Sequence, residues 1–278
     1  MKAALVSFPE LYTLPGKPSS ASRQAADASK QTQFLLADEL ALFDRAMNLQ
    51  LRIVAANSKA RTPQATALFS LWSRTFSNLA DVCSLVCCGS YVSCPPLLRS
   101  ALDSIAVARS LIADGFTDYD EWFERAVAQA KEHQALAFDL GRYRAASVLA
   151  EDESLGAIYR FLTDLSMPHF GSTALQTGPD SSLQKLAIMF GDTAFHLGWA
   201  QLISGWLLVL AASQTEAVES SGVITLPEDS RRESDALATA TARLLSDFRR
   251  CRVEEVDGRF LLHNYRRTTS GQPKRVML

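Results

Sequence analysis

The chain lacks the short motifs by which many nucleotide-binding and hydrolytic enzymes are recognised. It has no G-x-x-x-x-G-K-[ST] phosphate loop, no G-x-G-x-x-G dinucleotide fingerprint, no G-x-S-x-G nucleophile elbow and no H-E-x-x-H zinc helix. The enzyme classes that depend on these motifs are therefore not predicted. No internal repeat is visible either.

Net charge is also small. The 278 residues carry 28 basic and 30 acidic side chains, which gives a net charge of −2. No overall field therefore attracts nucleic acid or an anionic membrane. A basic C-terminal tail could contact nucleic acid, but the favoured interpretation is that its charges are simply solvated. The tail's charges are Arg259, Arg266, Arg267, Lys274 and Arg275.

Cysteines are few and unevenly spaced. There are five, an odd number, and four of them fall between residues 83 and 94. A secreted disulfide scaffold spreads paired cysteines along the chain, and zinc or iron–sulfur sites need four ligands in spaced pairs. The first apolar run is too short for a signal peptide. We therefore expect buried, reduced thiols, a cytoplasmic location and no cofactor.

Strand patterns are almost absent, and apolar residues recur at helical spacing. We predict an all-α fold, a bundle of about six to seven helices, with a short C-terminal β-hairpin turning at Asp257-Gly258. The predicted divisions are a weakly ordered segment at 1–30, the bundle at 31–250, and the hairpin with the basic tail at 251–278. Helices are expected near 33–56, 62–88, 96–113, 119–140, 153–166, 182–212 and 231–250.

The segment 186–212 is apolar and long enough to cross a bilayer. It contains Asp192, His196 and Gln201, which are costly in lipid. Its most apolar part, 197–212, is too short to span comfortably. The sequence therefore favours a buried core helix and no membrane partner.

The predicted helix at 96–113 is apolar nearly all round, yet it carries charges that need a partner. Arg99 and Asp103 are four residues apart and can form an ion pair on their own helix. Arg109 falls within the apolar stripe, where its stem could pack while its head escapes. The functional alternative is an anion- or phosphate-binding strip inside a cleft of the bundle.

Asp192 and His196 are also four residues apart, and in a helix they would share a face with Trp199 and Trp206. Such a pair can orient an imidazole for acid–base chemistry or for a metal, or can be a satisfied polar pair in the core. Helical metal sites draw ligands from several helices. We therefore predict no metal site, with Asp192 and His196 as its weak candidates.

Two stretches together resemble a known family. They are Leu97-Leu-Arg-Ser-Ala-Leu-Asp103 and Tyr159-Arg-Phe-Leu-Thr-Asp-Leu-Ser-Met-Pro-His169. This order is similar to a group of uncharacterised bacterial helical proteins that are compared with HEPN domains. The resemblance implies a helical bundle and a shared site. The members of that site, as candidate catalytic residues, would be Arg99, Asp103, Tyr159, Ser166 and His169.

The sequence departs from the family pattern at two points. Asp103 stands where the family has Glu, and only Met-Pro separates Ser166 from His169. Active HEPN ribonucleases carry an Arg, four to six residues, and then a His. Here eight residues separate Arg160 from His169, so the resemblance implies the fold and leaves ribonuclease activity open.

Three functions of different classes therefore remain open. The leading hypothesis is a ligand- or partner-binding module. The alternatives are enzymes, either a HEPN-like ribonuclease of a defence or toxin system or a metal-assisted helical hydrolase. The third hypothesis is a structural or assembly role in which helix faces contact a partner, and a homodimer is one form of it.

Overall fold

The computed structural model describes residues 5–16, 21–60, 62–135, 149, 151–182, 184–269 and 274–278. In these ranges the chain is an all-helical bundle with a small C-terminal sheet, which confirms the predicted fold class. A single 3-10 turn, Tyr91–Ser93, precedes the fourth helix. The helices are α1 Arg23–Leu35, α2 Ala37–Asn57, α3 Pro63–Cys87, α4 Cys94–Ala113, α5 Thr117–His133, α6 Glu153–Ser166, α7 Phe170–Thr177, α8 Leu197–Ser220 and α9 Glu228–Leu245.

Helix α8 lies at the centre of the bundle. It packs against α2, α3, α4 and α9, and nearly all of its side chains from Leu197 to Val218 are buried. By length and composition alone it could cross a membrane, but 83% of its most apolar window is buried inside the protein. Helix α8 is therefore a buried core helix, as the sequence predicted.

Several predicted helix ends are confirmed by their caps. The Thr62 hydroxyl accepts a hydrogen bond from the Ala65 amide at 3.1 Å, and Pro63 is the first residue of α3. Gly89 follows the end of the same helix with a φ of +73°. This left-handed conformation costs glycine little and lets the chain turn into α4.

The N-terminal prediction is only partly matched. Residues 23–30, expected to be weakly ordered, belong to α1, which a break at Leu36 separates from α2. The buried residues of α1 are small, such as Ala25, Ala28 and Ser29. Small side chains give a weak apolar periodicity, although they allow the helix to pack closely against α3.

The helix predicted over 182–212 differs from the structure in where it begins. Residues 182 and 184–196 are not helical, and the long helix begins at Leu197. Gly191 adopts a φ of +63°, which no residue inside a right-handed helix has. Helix α7 lies where a loop was expected. Helix α5 ends at His133 because Gln134 is left-handed, and the end predicted near residue 140 lies outside the described residues.

The C-terminal hairpin is confirmed. Strands β1 (Arg252–Val256) and β2 (Arg259–His263) pair antiparallel, and Asp257 and Gly258 have φ angles of 50° and 73°. Two positive φ values in a two-residue loop match the twist of the flanking strands. A third strand, β3 (Val276–Met277), pairs with β2 and is too short for a sequence pattern to predict.

The close approach of Gly89 to the backbone of Thr193 can be tested by substitution. A Cβ added there would lie 2.2 Å from the Thr193 carbonyl oxygen, whereas Gly258, also at a φ of +73°, has open space around it. We expect Gly258→Ala to cost about 1–2 kcal/mol for the left-handed conformation alone. Gly89→Ala should cost clearly more, as measured by urea unfolding. Equal losses in the two variants would contradict the close approach.

Candidate functional site

Three of the five candidate site residues meet at the contact between α4 and α6. The Arg99 guanidinium donates to the Tyr159 hydroxyl at 3.2 Å and lies over its ring, 5.1 Å from the centroid. Arg99 Nε is 3.9 Å from a carboxylate oxygen of Asp103. Burial raises the pKa of Asp103, and the neighbouring Arg99 partly offsets that effect. The cluster is therefore an ion pair stacked on a tyrosine.

The other two candidates do not join this cluster. The Ser166 hydroxyl donates to the Leu162 carbonyl of its own helix at 2.6 Å. His169 is exposed just before α7, and its backbone amide donates to the Met167 carbonyl. Among the described residues, no hydrogen bond or ion pair links the side chains of Ser166 or His169 to Arg99. The contacts of the described residues therefore join Arg99, Asp103 and Tyr159, and they do not include the Ser166 or His169 side chains.

Arg109, which lay unexplained in the apolar stripe, joins three elements. It donates to Asp152 at 2.9 Å and to Glu216 at 3.0 Å. Asp152 also caps α6 by accepting from the Leu155 amide. Since its charge is neutralised from both sides, the arginine stabilises the meeting of α4, α6 and α8, and it offers no free cation to an anion.

The prediction that Asp192 and His196 share a helical face is wrong, because both precede α8. Asp192 accepts from Arg267 at 3.2 Å and from the Ala194 amide at 3.0 Å. His196 caps the helix, and its Nδ1 accepts from the Trp199 amide at 3.2 Å. Within the described ranges, no group of three or more His, Cys, Asp and Glu side chains could hold a metal. The pair therefore serves the start of α8.

The basic tail also differs from the solvated segment that we expected. The Arg266 and Arg267 carbonyls accept from the Gly198 and Leu197 amides at 2.9 and 3.0 Å. The side chain of Arg267 pairs with Asp180 as well as Asp192. These bonds satisfy amides at the helix start that would otherwise lack partners.

Four of the five cysteines match the expectation of buried thiols, and Cys88 is only partly buried. Cys83, Cys87, Cys94 and Cys251 are buried and free. Burial raises the pKa of Cys94, and it raises that of Cys251 to about 12. These two thiols therefore stay protonated at neutral pH and are poor nucleophiles.

A cavity of about 210 Å³ lies between α6, α8, the end of α9 and the C-terminal hairpin. Its wall is mainly apolar and contains three aromatic rings, Phe161, Trp206 and Phe260. The Phe161 and Phe260 rings are 4.9 Å apart at an interplanar angle of 62°. The remaining wall residues are Ala157, Ile158, Gln201, Leu202, Gly205, Val209, Leu245, Arg250, Cys251, Arg252, Val253 and Glu255.

A buried ion pair holds the polar edge of this cavity. Arg250 pairs with Glu39 of α2, and both side chains are less than a tenth exposed. Arg250 also donates to the Gln201 carbonyl at 3.0 Å, while the Gln201 side chain accepts from the Cys251 amide at 3.1 Å. These bonds fix the chain where it passes from α9 to the hairpin. No sequence pattern pointed to them, because Glu39 and Arg250 are 211 residues apart.

Comparison with known proteins identified no relative of this chain. No protein-family model, curated protein or solved structure matches the chain. The HEPN-like resemblance and the ribonuclease alternative therefore stay predictions from the sequence. The cavity combines an apolar, aromatic wall with a few polar groups, which is the composition of a small-molecule site.

Because the residue that caps α8 is a buried histidine, His196, we predict that the stability of the protein depends on pH. Desolvation, with Arg267 nearby, lowers the pKa of His196 to about 3; Asp192 opposes this shift and Lys274 adds to it. Because the folded protein resists protonation here and the unfolded chain does not, the stability that neutral His196 provides is full above about pH 6.5 and is lost towards pH 3.

We expect His196→Asn, which keeps a capping oxygen but cannot titrate, to reduce the loss of stability between pH 6.5 and 4. The difference in slope should be at most about 1.4 kcal/mol per pH unit. Urea unfolding of both proteins across this range measures it. Parallel stability profiles would show that His196 is already accessible to protons in the folded state.

Proposed function

We propose that this protein is a ligand-binding helical bundle, whose ligand is a small, mainly apolar molecule bound in the cavity between α6, α8 and the hairpin. The observation that carries the proposal is the 210 Å³ aromatic-lined cavity. An apolar cavity of about 150 Å³ is large enough for benzene. The cavity is smaller than the roughly 300–1,000 Å³ of pockets for drug-sized ligands. A molecule of one or two rings fits this size.

The polar groups at the cavity's edge favour an anionic substituent on the ligand. Arg250 and Gln201 already bond to the protein, and Glu255 pairs with Arg160 at 2.7 Å. Arg252 is exposed, and no ion pair of the described residues uses it. Its guanidinium is therefore available to a carboxylate or phosphate at the mouth.

Binding without chemical conversion is the simpler role for this cavity. Its one thiol, Cys251, is held protonated by burial, which raises its pKa to about 12. The Arg99, Asp103 and Tyr159 side chains do not line the cavity. The wall thus supplies apolar contact and charge recognition, which are the requirements of a binding site.

Two small probes test the proposal, neutral indole and anionic benzoate, with binding measured by ligand-observed NMR and isothermal titration calorimetry. Both should bind the wild-type protein. Val209→Phe adds a ring on the cavity wall and should weaken both at least about tenfold. Arg252→Gln should weaken benzoate and leave indole unchanged.

Val223→Phe is the matched control, because this valine lies in the loop after α8 and outside the cavity wall. It should bind both probes as the wild type does. Circular dichroism establishes that each variant is folded. The proposal fails if neither probe binds, or if folded Val209→Phe binds as tightly as Val223→Phe.

A further inference from the structure

The segment between α7 and α8 carries an unusual run of exposed apolar side chains. Leu186, Ile188 and Phe190 are 59%, 50% and 96% exposed, and Met189 is 37% exposed. Exposed apolar side chains are ordinary when single, but a contiguous set marks an interaction surface. The run 186–190 is therefore a candidate contact for another molecule, independent of the proposed ligand cavity.

The backbone of this run is bonded on one edge only. The Ala187 amide donates to the Ser181 hydroxyl at 3.0 Å, and the Met189 amide donates to the Thr177 carbonyl at 2.8 Å. No hydrogen bond in the described part of the chain uses the backbone of residues 186, 188 or 190. In an extended chain, alternate residues direct their backbone groups to opposite edges. Bonded residues 187 and 189 thus alternate with residues 186, 188 and 190, whose backbone groups are available for pairing with another chain.

We propose that the run 186–190 pairs antiparallel with the same run of a second copy of the chain. With Ile188 opposite its own counterpart, Leu186 of one copy faces Phe190 of the other. These are the residues whose backbone groups are free. Each facing pair can exchange two N–H···O=C bonds, and a two-fold axis closes the assembly.

The exposed aromatic side chains can supply a substantial part of the area that a dimer buries. Phe170 is 99% exposed and begins α7, whose last residue Thr177 bonds to Met189. Phe170 therefore lies about 10 Å along the helix from the run. An aromatic side chain buries about 150–250 Å². Phe170 and Phe190 thus supply about half of the ~800 Å² that each partner buries in a standard interface.

Charge favours a second copy over an anionic membrane. Lys185 directly precedes the run, and the nearby Asp180, which is 49% exposed, pairs with Arg267, so charges of both signs border the surface. The whole chain has a net charge of −2. In antiparallel pairing the two Lys185 residues lie at opposite ends of the ladder. No like charges are therefore placed directly opposite each other.

Sedimentation equilibrium of the full chain tests the pairing. The wild-type protein should have a two-chain mass at micromolar concentration. Ile188→Pro removes the central free amide, and Phe190→Ser removes the largest exposed side chain. Each should raise the dissociation constant at least about a hundredfold, whereas Ile188→Val should keep the dimer.

Phe34→Ser is the matched control, because Phe34 is 82% exposed on α1 and is not part of the run. It should remain dimeric, and circular dichroism checks the folding of all variants. A monomeric wild type, or a dimer that both Ile188→Pro and Phe190→Ser leave intact, overturns the proposal. Cosedimentation of a monomer with phosphatidylserine vesicles overturns it in favour of a membrane surface.

Discussion

The burial of α8 is the constraint on which the rest of the structure depends. A helix that is apolar on every side must be enclosed by others, and α2, α3, α4 and α9 surround it. A chain of buried hydrogen bonds links it to two of these neighbours. The Trp72 indole donates to Gln50 at 2.7 Å, and the Gln50 amide donates to the Ala211 carbonyl of α8. These buried bonds fix how α2 and α3 sit against the central helix.

Arg109, which the sequence singled out, and Arg250, which it did not, both have structural partners. Arg109 bonds to Asp152 and Glu216, and Arg250 bonds to Glu39 and the Gln201 carbonyl. A buried ion pair adds little net stability over apolar packing, but removal of one partner is costly because the other charge stays buried. The buried Glu39–Arg250 pair therefore acts mainly to specify where the segment after α9 meets α2.

The elements with strong local patterns could be predicted from the sequence. Thr62-Pro63 and Asp257-Gly258 fix a helix start and a hairpin by geometry that a few residues determine alone. Helix α1 buries mainly small side chains, and β3 has two residues, so neither has a clear period. The spacing of Asp192 and His196 misled because it implies a shared face only inside a helix.

The candidate site could not be predicted for a different reason, since its wall comes from distant parts of the chain. Helices α6 and α8, the end of α9 and the hairpin each supply part of it, and the Glu39–Arg250 pair spans 211 residues. The hairpin does more than cover the bundle. It supplies Phe260 to the cavity, and the segment after it bonds the start of α8. A ligand that bridges α8 and Phe260 binds only the folded arrangement of both, so by linkage it also stabilises the docking of the C-terminal segment.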